Sequence, residues 1–254
     1  MAIRSVQKKI PRQRVDLLLV QRGLAESQSQ AQALVLAGKV FANGSPLAKP
    51  GMAVSIDAEL QVSGPDAFVG RGGIKLEHAL DVFGIDVAGK VAGDIGASTG
   101  GFTDCLLKRG VARVYAIDVG KGQLDWRLRR DPRVIVKEGV NARYPLSLPE
   151  VLDIVTIDVS FISVTKIIPP AAGALREGGC LVVLIKPQFE AEKREVARGG
   201  VVRDPDVHAR VLARFITWAV TNCWRILGLT TSPIQGAEGN TEFFLLLSNA
   251  DVVA

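Results

Sequence analysis

The run "CLVVLIKP" ends a stretch of apolar residues on Lys186, and Pro187 bars the strand ladder from continuing. A lysine there could simply snorkel to water, so the other element ends decide its meaning. Asp158 closes a second apolar run, "LDIVTID"; Glu242 opens a third, "TEFFLLL"; Lys75 lies in "RGGIKLEHAL", a helical stretch ahead of the first strand. Any one of the four reads equally well as a surface charge or as half of a structural ion pair. Together at element ends they describe a cleft holding two amines and two carboxylates, residue types that hold and move protons.

Such a cleft needs a scaffold that gathers element ends, and from about residue 87 the chain alternates strand and helix. "KVAGDIGAS" is a strand leading into a glycine-rich turn, and "GGFTDCLLKRG" is a helix ended by Gly110. "ARVYAIDVG" and "RVIVKEG" are the second and third strands, and "LDIVTIDVSF" the fourth. A helix through "VTKIIPPAAGALREGG" precedes the fifth strand, "CLVVLIKP". A long helix from about Asp204 to Arg225 stacks Val207, Val211, Phe215 and Ala219 at four-residue intervals, and "RILGLTTSPI" and "TEFFLLLS" follow as strands. This alternation predicts an α/β fold, a mostly parallel sheet with helices on both faces and ligands beyond the carboxyl ends of its strands. Asp158 and Lys186 terminate the fourth and fifth strands, so both project at that edge.

The first turn reads "DIGASTGGF", from Asp94 to Phe102. It is not GxGxxG and lacks the lysine of a phosphate-binding loop. Its glycines permit close backbone approach, and the helix starting near Gly101 offers free N–H groups to a carboxylate. Asp118 ends the second strand, where an acid accepts hydrogen bonds from ribose hydroxyls. Acid, glycine turn and second acid fit S-adenosylmethionine, which carries a carboxylate, an ammonium and a ribose but no phosphate. The turn alone would also admit a nicotinamide cofactor. The expected cofactor residues are Asp94, Gly96, Ser98, Gly100, Gly101, Phe102 and Asp118.

The first fifty residues hold eight Lys/Arg against two Asp/Glu, a charge of +6, while the other 204 sum to −1. Segregated basic charge points to a polyanionic partner, nucleic acid or an anionic membrane. "RVDLLLVQRG" places Val15, Leu18 and Leu19 on one helical face and ends in a glycine cap. A second helix opens with Ser27 and Gln30 in capping-box spacing, buries Ala31, Leu34 and Val35, and closes at Gly38. Asn43-Gly44 then signals a hairpin.

From Arg14 to about Val54 this stretch resembles the alpha-L RNA-binding motif of a small-subunit ribosomal protein and of pseudouridine synthases. The resemblance implies that Arg14, Arg22 and Lys39 face RNA phosphates. Members usually carry an arginine directly after the serine matching Ser27; here it is Gln28, which should weaken phosphate contact. The rest of the chain resembles RNA ribose 2′-O-methyltransferases of the FtsJ type, marked by a Lys-Asp-Lys-Glu tetrad. End to end, "GRGGIKL", "DIGASTGGFTDCLL", "DVSFIS", "KPQFE", "GGVVRD" and "GNTEF" are similar to the TlyA family, also called the hemolysin A family.

That resemblance implies a Rossmann-like methyltransferase sheet of seven strands, the last antiparallel, behind a small N-terminal α+β RNA-binding domain. The domains would span 1–60 and 74–254, with 61–73 as linker. It implies Lys75, Asp158, Lys186 and Glu242 as the catalytic tetrad, S-adenosyl-L-methionine as cofactor, and ribosomal RNA or ribosomal subunits as partner, with cytidine as the methylated nucleotide. Lys186 would be the general base toward a ribose 2′-hydroxyl, and Asp158 would orient it; Glu242 would hold a lysine or a ribose hydroxyl. Coupled groups titrate as a set, so sequence leaves open which lysine is the neutral one. An acid after the third strand touches the adenine region in relatives; here the candidates are Glu138 and Asn141. Gly70 stands where the family commonly has serine, which implies a looser joint between the domains.

Three widely spaced cysteines without a CxxC pair suit a reducing cytoplasm and give no reason to expect a structural metal. No apolar run is long enough to span a membrane, and the start lacks a signal-like h-region. A cytoplasmic enzyme without stable membrane association is therefore expected. Two other readings compete with it: a membrane-active hemolysin, and an RNA-binding protein whose methyltransferase fold has lost catalysis. The export signal and membrane-length run that the first requires are missing, and the complete tetrad opposes the second.

Overall fold

The computed structural model describes residues 11–36, 38–47, 49–62, 67–197, 199–236 and 239–249. The chain divides into two compact units, residues 1–66 and 67–254.

In the first unit, β1 (Arg12–Arg14) leads directly into α1 (Val15–Gln21), followed by α2 (Gln28–Leu36), β2 (Val40–Ala42), β3 (Ser45–Pro46), β4 (Ala53–Ser55) and β5 (Leu60–Val62). The helix expected from Arg14 begins one residue later, because Arg14 is held extended by antiparallel pairing with Ala53. Asn43 and Gly44 both take positive φ, 49° and 76°, the turn that β2 and β3 need to pair as a hairpin. Val15, Leu18, Leu19, Ala31 and Val35 form the buried core, with Leu34 packed at its margin. Ser27 caps α2 by accepting from the Gln30 N–H at 3.2 Å; the Gln30 side chain accepts from Glu26 N–H instead of closing the box on Ser27.

Asp16 is fully buried in this small unit. It accepts two hydrogen bonds from the Arg14 guanidinium at 2.7 and 3.0 Å, one each from Gln28 and Gln32 at 3.1 and 3.0 Å, and one from Leu17 N–H. The Arg14 pairing, together with the two amides, holds the Asp16 carboxyl well below the usual carboxylate range against the cost of its burial. Gln28 therefore serves a carboxylate of its own unit. Arg22 likewise donates to the backbone carbonyls of Ile56 and Ala58.

The second unit contains α3 (Arg71–Phe83), β6 (Val91–Ile95), α4 (Gly101–Lys108), β7 (Arg113–Asp118), α5 (Trp126–Arg129), β8 (Val134–Glu138), β9 (Leu152–Ile157), α6 (Ile168–Ala172), β10 (Leu175–Ile185), α7 (Pro187–Glu190), α8 (Pro205–Thr221), β11 (Trp224–Thr231) and β12 (Phe243–Asn249). Its sheet runs β11-β12-β10-β9-β6-β7-β8. From β10 to β8 every neighbour is parallel, and β12 alone runs antiparallel to both its partners. The seven strands and the reversed last strand are as expected. The expected 61–73 linker includes two residues of β5 and the first three of α3, and its residues 63–66 lie outside the described residues.

The long helix expected before the fifth strand is only a 3-10 turn, Val164–Lys166, and the five residues of α6. Pro169 and Pro170 sit at its start, where their missing N–H groups cost nothing, and the chain is already strand at Leu175. Gly178, with φ of 70°, lies where the β10–β9 register shifts between Leu175 and Cys180. Helix α8 stops at Thr221, short of the expected Arg225, because Trp224 begins β11.

Alternation within the strands sets where the charges emerge. Val155, Ile157, Leu181, Val183, Ile185, Leu245 and Leu247 pack on one face, with α6 and α8. Ile154, Val182, Leu184, Phe244 and Leu246 pack on the other, with α3 and α4. Continued one residue past the strand ends, this period of two puts Asp158, Lys186 and Glu242 on the α3/α4 face.

Replacing Asp16 with Asn should destabilise the small unit by about 1.5–3 kcal/mol, the worth of hydrogen bonds to a charged group. Because its folded pKa is depressed, the Asp16 contribution is complete above about pH 4 and is lost as pH falls below that. Hydrogen exchange of the Ala31 and Val35 amides, read in both variants from pH 3 to 7, measures it. Equal protection at pH 7 would show that the network contributes nothing.

Candidate active site

Glycines bring α3 against the first turn. A Cβ on Gly101 would lie 3.0–3.2 Å from the Gly72 and Gly73 backbone, and one on Gly73 would enter the Phe68 side chain at 2.1 Å. Helix α3, which begins at Gly70 without a side-chain cap, can therefore lie close on α4 and carry Lys75 to the sheet edge. There Lys75 Nζ meets Glu242 Oε2 at 2.5 Å, both residues buried. The Gly236 backbone closes over that carboxylate: a Cβ there would sit 2.5 Å from Glu242 Oε1.

The second pair is more open. Lys186 Nζ lies 2.6 Å from Asp158 Oδ1 and donates to Ser160 Oγ at 3.1 Å. The Lys186–Asp158 contact is an ion pair without hydrogen-bond alignment, and Asp158 Oδ1 is buried with no hydrogen-bond partner. The turn after β6 sits directly beside it. Gly96, at φ 86°, comes so near the Asp158 backbone that a Cβ would lie 2.2 Å from its carbonyl oxygen. Only glycine fits this contact.

Two cavities meet here, of about 450 and about 140 Å³. Gly96, Ser98 and Asp158 line both. Asp118 and Asn141 line the larger, and Gly72, Gly101 and Phe102 the smaller. Asp118 is held by the turn: it accepts from Ser98 N–H at 2.8 Å and from Gly120 N–H at 2.7 Å.

Two expected cofactor residues lie elsewhere. Asp94 is fully buried beneath the turn and lines neither cavity; it accepts the hydroxyls of Thr103 at 2.6 Å and Thr156 at 3.1 Å. Burial, with a further contribution from nearby Asp158, pushes its carboxyl up to about 7. Gly100, at φ 100°, faces Leu124 and Leu128, where a Cβ would clash at 2.8 and 2.2 Å. Both residues shape the turn from below. Of the two adenine-region candidates, Asn141 lines the larger cavity, whereas Glu138 is taken up by Arg129 at 2.5 Å and by Gly122 N–H at 2.9 Å. Arg14, Arg22 and Lys39 belong to the other unit.

Sequence reasoning missed Ser160 and Phe161. Phe161 lines the larger cavity, is 91% exposed and holds a left-handed φ of 63°. The signal available was their place directly after Asp158 in "DVSFIS".

The arrangement joins an ion pair whose carboxylate lines a cleft, a second and more buried pair, and a glycine turn at the carboxyl edge of a parallel sheet. The FtsJ-like methyltransferase family matches residues 68–249, and the S4 domain matches residues 13–60. The chain is 47% identical to the 16S/23S rRNA (cytidine-2′-O)-methyltransferase TlyA of Mycobacterium tuberculosis, over 93% of this chain and 90% of that protein. It is 42% identical to Hemolysin A of Brachyspira hyodysenteriae, over 91% of this chain and 97% of that protein. A solved structure named as a hemolysin from Streptococcus thermophilus superposes with a TM-score of 0.74 at 43% identity, covering 96% of this chain and 90% of that one. The chain belongs to the FtsJ-like methyltransferase family, in the branch that joins this fold to an S4 domain and includes TlyA.

Proposed function

We propose that the protein methylates the ribose 2′-hydroxyl of cytidine in ribosomal RNA, using S-adenosylmethionine. The observation that carries this reading is the Lys186–Asp158 pair, of which Asp158 lines both cavities, with Lys75–Glu242 at the same sheet edge. The cofactor supplies an electrophilic methyl group on a sulfonium centre.

The residues present fit that group. Asp118 would take the ribose hydroxyls and Asn141 the adenine side of the larger cavity. Gly96, Ser98, Gly101 and Phe102 would hold the amino-acid end, where α4 presents free N–H groups to a carboxylate. The Asp158 carboxylate, which lines both cavities and already draws in Lys186, suits a cationic neighbour. Asp94 and Gly100 support the turn without touching the ligand.

A 2′-hydroxyl must lose its proton as it is methylated; Lys186 Nζ takes it as the neutral amine, having first given up the proton that makes it the cation of its pair with Asp158. Asp158 and Ser160 aim the amine from two sides. Lys75 and Glu242 fix the floor behind it. The basic S4 unit would bring the RNA, with Arg14 and Lys39 toward the phosphates; the Arg14 side chain stays half exposed despite its pairing with Asp16, whereas Arg22 is engaged by the Ile56 and Ala58 carbonyls.

Lys186→Ala should slow single-turnover transfer to rRNA at saturating cofactor by about 10²–10⁴-fold while leaving cofactor and RNA affinities near normal. Lys186→Arg should fail as well at every pH, since a guanidinium cannot act as the base. Near-normal rates with arginine would reduce Lys186 to an electrostatic role. Asp118→Ala supplies the contrast, weakening cofactor binding by about 1.5–3 kcal/mol in calorimetry.

Deleting residues 1–60 should weaken rRNA binding and flatten its salt dependence, because fewer counterions are released, with cofactor affinity unchanged. Filter binding across a salt series reads this. Loss of cofactor binding with RNA binding intact would reverse the assignment of the two units.

A further inference from the structure

We propose that Glu190 is a positioning residue for methyl transfer, clamping the segment after Asp158 to the helix after Lys186; this rests on the methyl-transfer reading above. Strands β9 and β10 pair in parallel up to Ile157 and Val183, after which no ladder holds the two chain segments together. Yet the reacting groups lie beyond those ends. Asp158 and Ser160 are on one segment and Lys186 on the other, and their 2.6 and 3.1 Å contacts require the segments to stay in register.

Glu190 supplies that registration. It lies at the end of α7, four residues after Lys186, and its carboxylate crosses to the other segment. Oε2 accepts from Ser163 Oγ at 2.7 Å and Oε1 from Val164 N–H at 2.8 Å. Ser163 Oγ also lies 2.7 Å from Thr165 Oγ1. Ser163 has one hydroxyl proton and a carboxylate only accepts, so Thr165 is the donor in that contact. The rings of Phe161 and Phe189 also meet across the same two segments at 5.0 Å, with Phe161 otherwise exposed.

The backbone between these ties is strained. Phe161 holds a φ of 63°, a conformation that persists only where surrounding contacts over-determine it. Released, the segment would relax at Phe161 and carry Ser160 away from Lys186. Burial pushes the Glu190 carboxyl above its ordinary range, while its two hydrogen-bond donors and Arg214 of α8 pull the other way. The group is therefore held at a desolvation cost that a surface glutamate would not bear.

The test is single-turnover methyl transfer to rRNA by the full chain at saturating cofactor. Glu190→Ala should slow transfer by about tenfold to a hundredfold, the loss expected for a displaced catalytic group. Glu190→Gln should rescue it. Its oxygen can take the Val164 N–H, and its amide can donate to Ser163 Oγ, which then donates to Thr165. Ser163→Ala should slow transfer alone and add nothing in the Glu190→Ala background, because both remove one clamp. It also carries the test if Glu190→Ala does not fold. Wild-type rates in Glu190→Ala or Ser163→Ala, or losses that multiply in the double variant, overturn the assignment. A wild-type chain that methylates no rRNA overturns the functional reading, and this assignment with it.

Discussion

Lys75 and Glu242 take two charges out of water, which costs on the order of several kcal/mol per ion unless geometry returns it. Contact at 2.5 Å offsets part of it, and that contact is possible only if several other conditions hold. Helix α3 must lie close on α4, which the small residues Gly72, Gly73 and Gly101 allow. Strand β12 must enter the sheet reversed, so that its beginning and not its end lies at the ligand edge. The segment around Gly236 must come down on the carboxylate with no side chain between. A lysine without this partner would be stranded in an apolar layer beside Leu76 and Leu80. The pair thus fixes the helix, the strand and the loop that wall the cleft.

The two ion pairs divide the work. Lys75–Glu242 is the more deeply buried of the two. Lys186–Asp158 is more exposed, and its amine also donates to Ser160 Oγ.

Much of this is legible in the amino-acid sequence. Strand-helix alternation, reversal of the last strand by family resemblance, and charges at element ends lead to the four residues that meet as two ion pairs. What the sequence hides has identifiable causes. Strands buried on both faces read as continuous apolar runs, so the period of two that separates Asp158 from its neighbours does not show. Asp94 looks like a ligand contact because an acid before a glycine turn looks the same whether it points up or down; Thr103 and Thr156 decide the matter from other elements. Gln28 reads as a lost phosphate contact because nothing local reveals that Asp16, twelve residues away, receives its amide. Glu190 closes the motif "KPQFE" without an evident role, since its partners come from the preceding strand's exit.

The place of β12 between β10 and β11 has a consequence for the order of assembly. As the ribosome makes the chain, β10 and β11 emerge first, and the strand that separates them comes last. Until it does, two edges that will be interior have no partner, and Lys75 waits across 167 residues for its counter-ion. Contacts of such sequence separation form late and slowly. A nascent chain can therefore hold a glycine turn and the two strands that carry Asp158 and Lys186 while the Lys75–Glu242 pair is missing, so the cleft proposed for methyl transfer is completed only with β12.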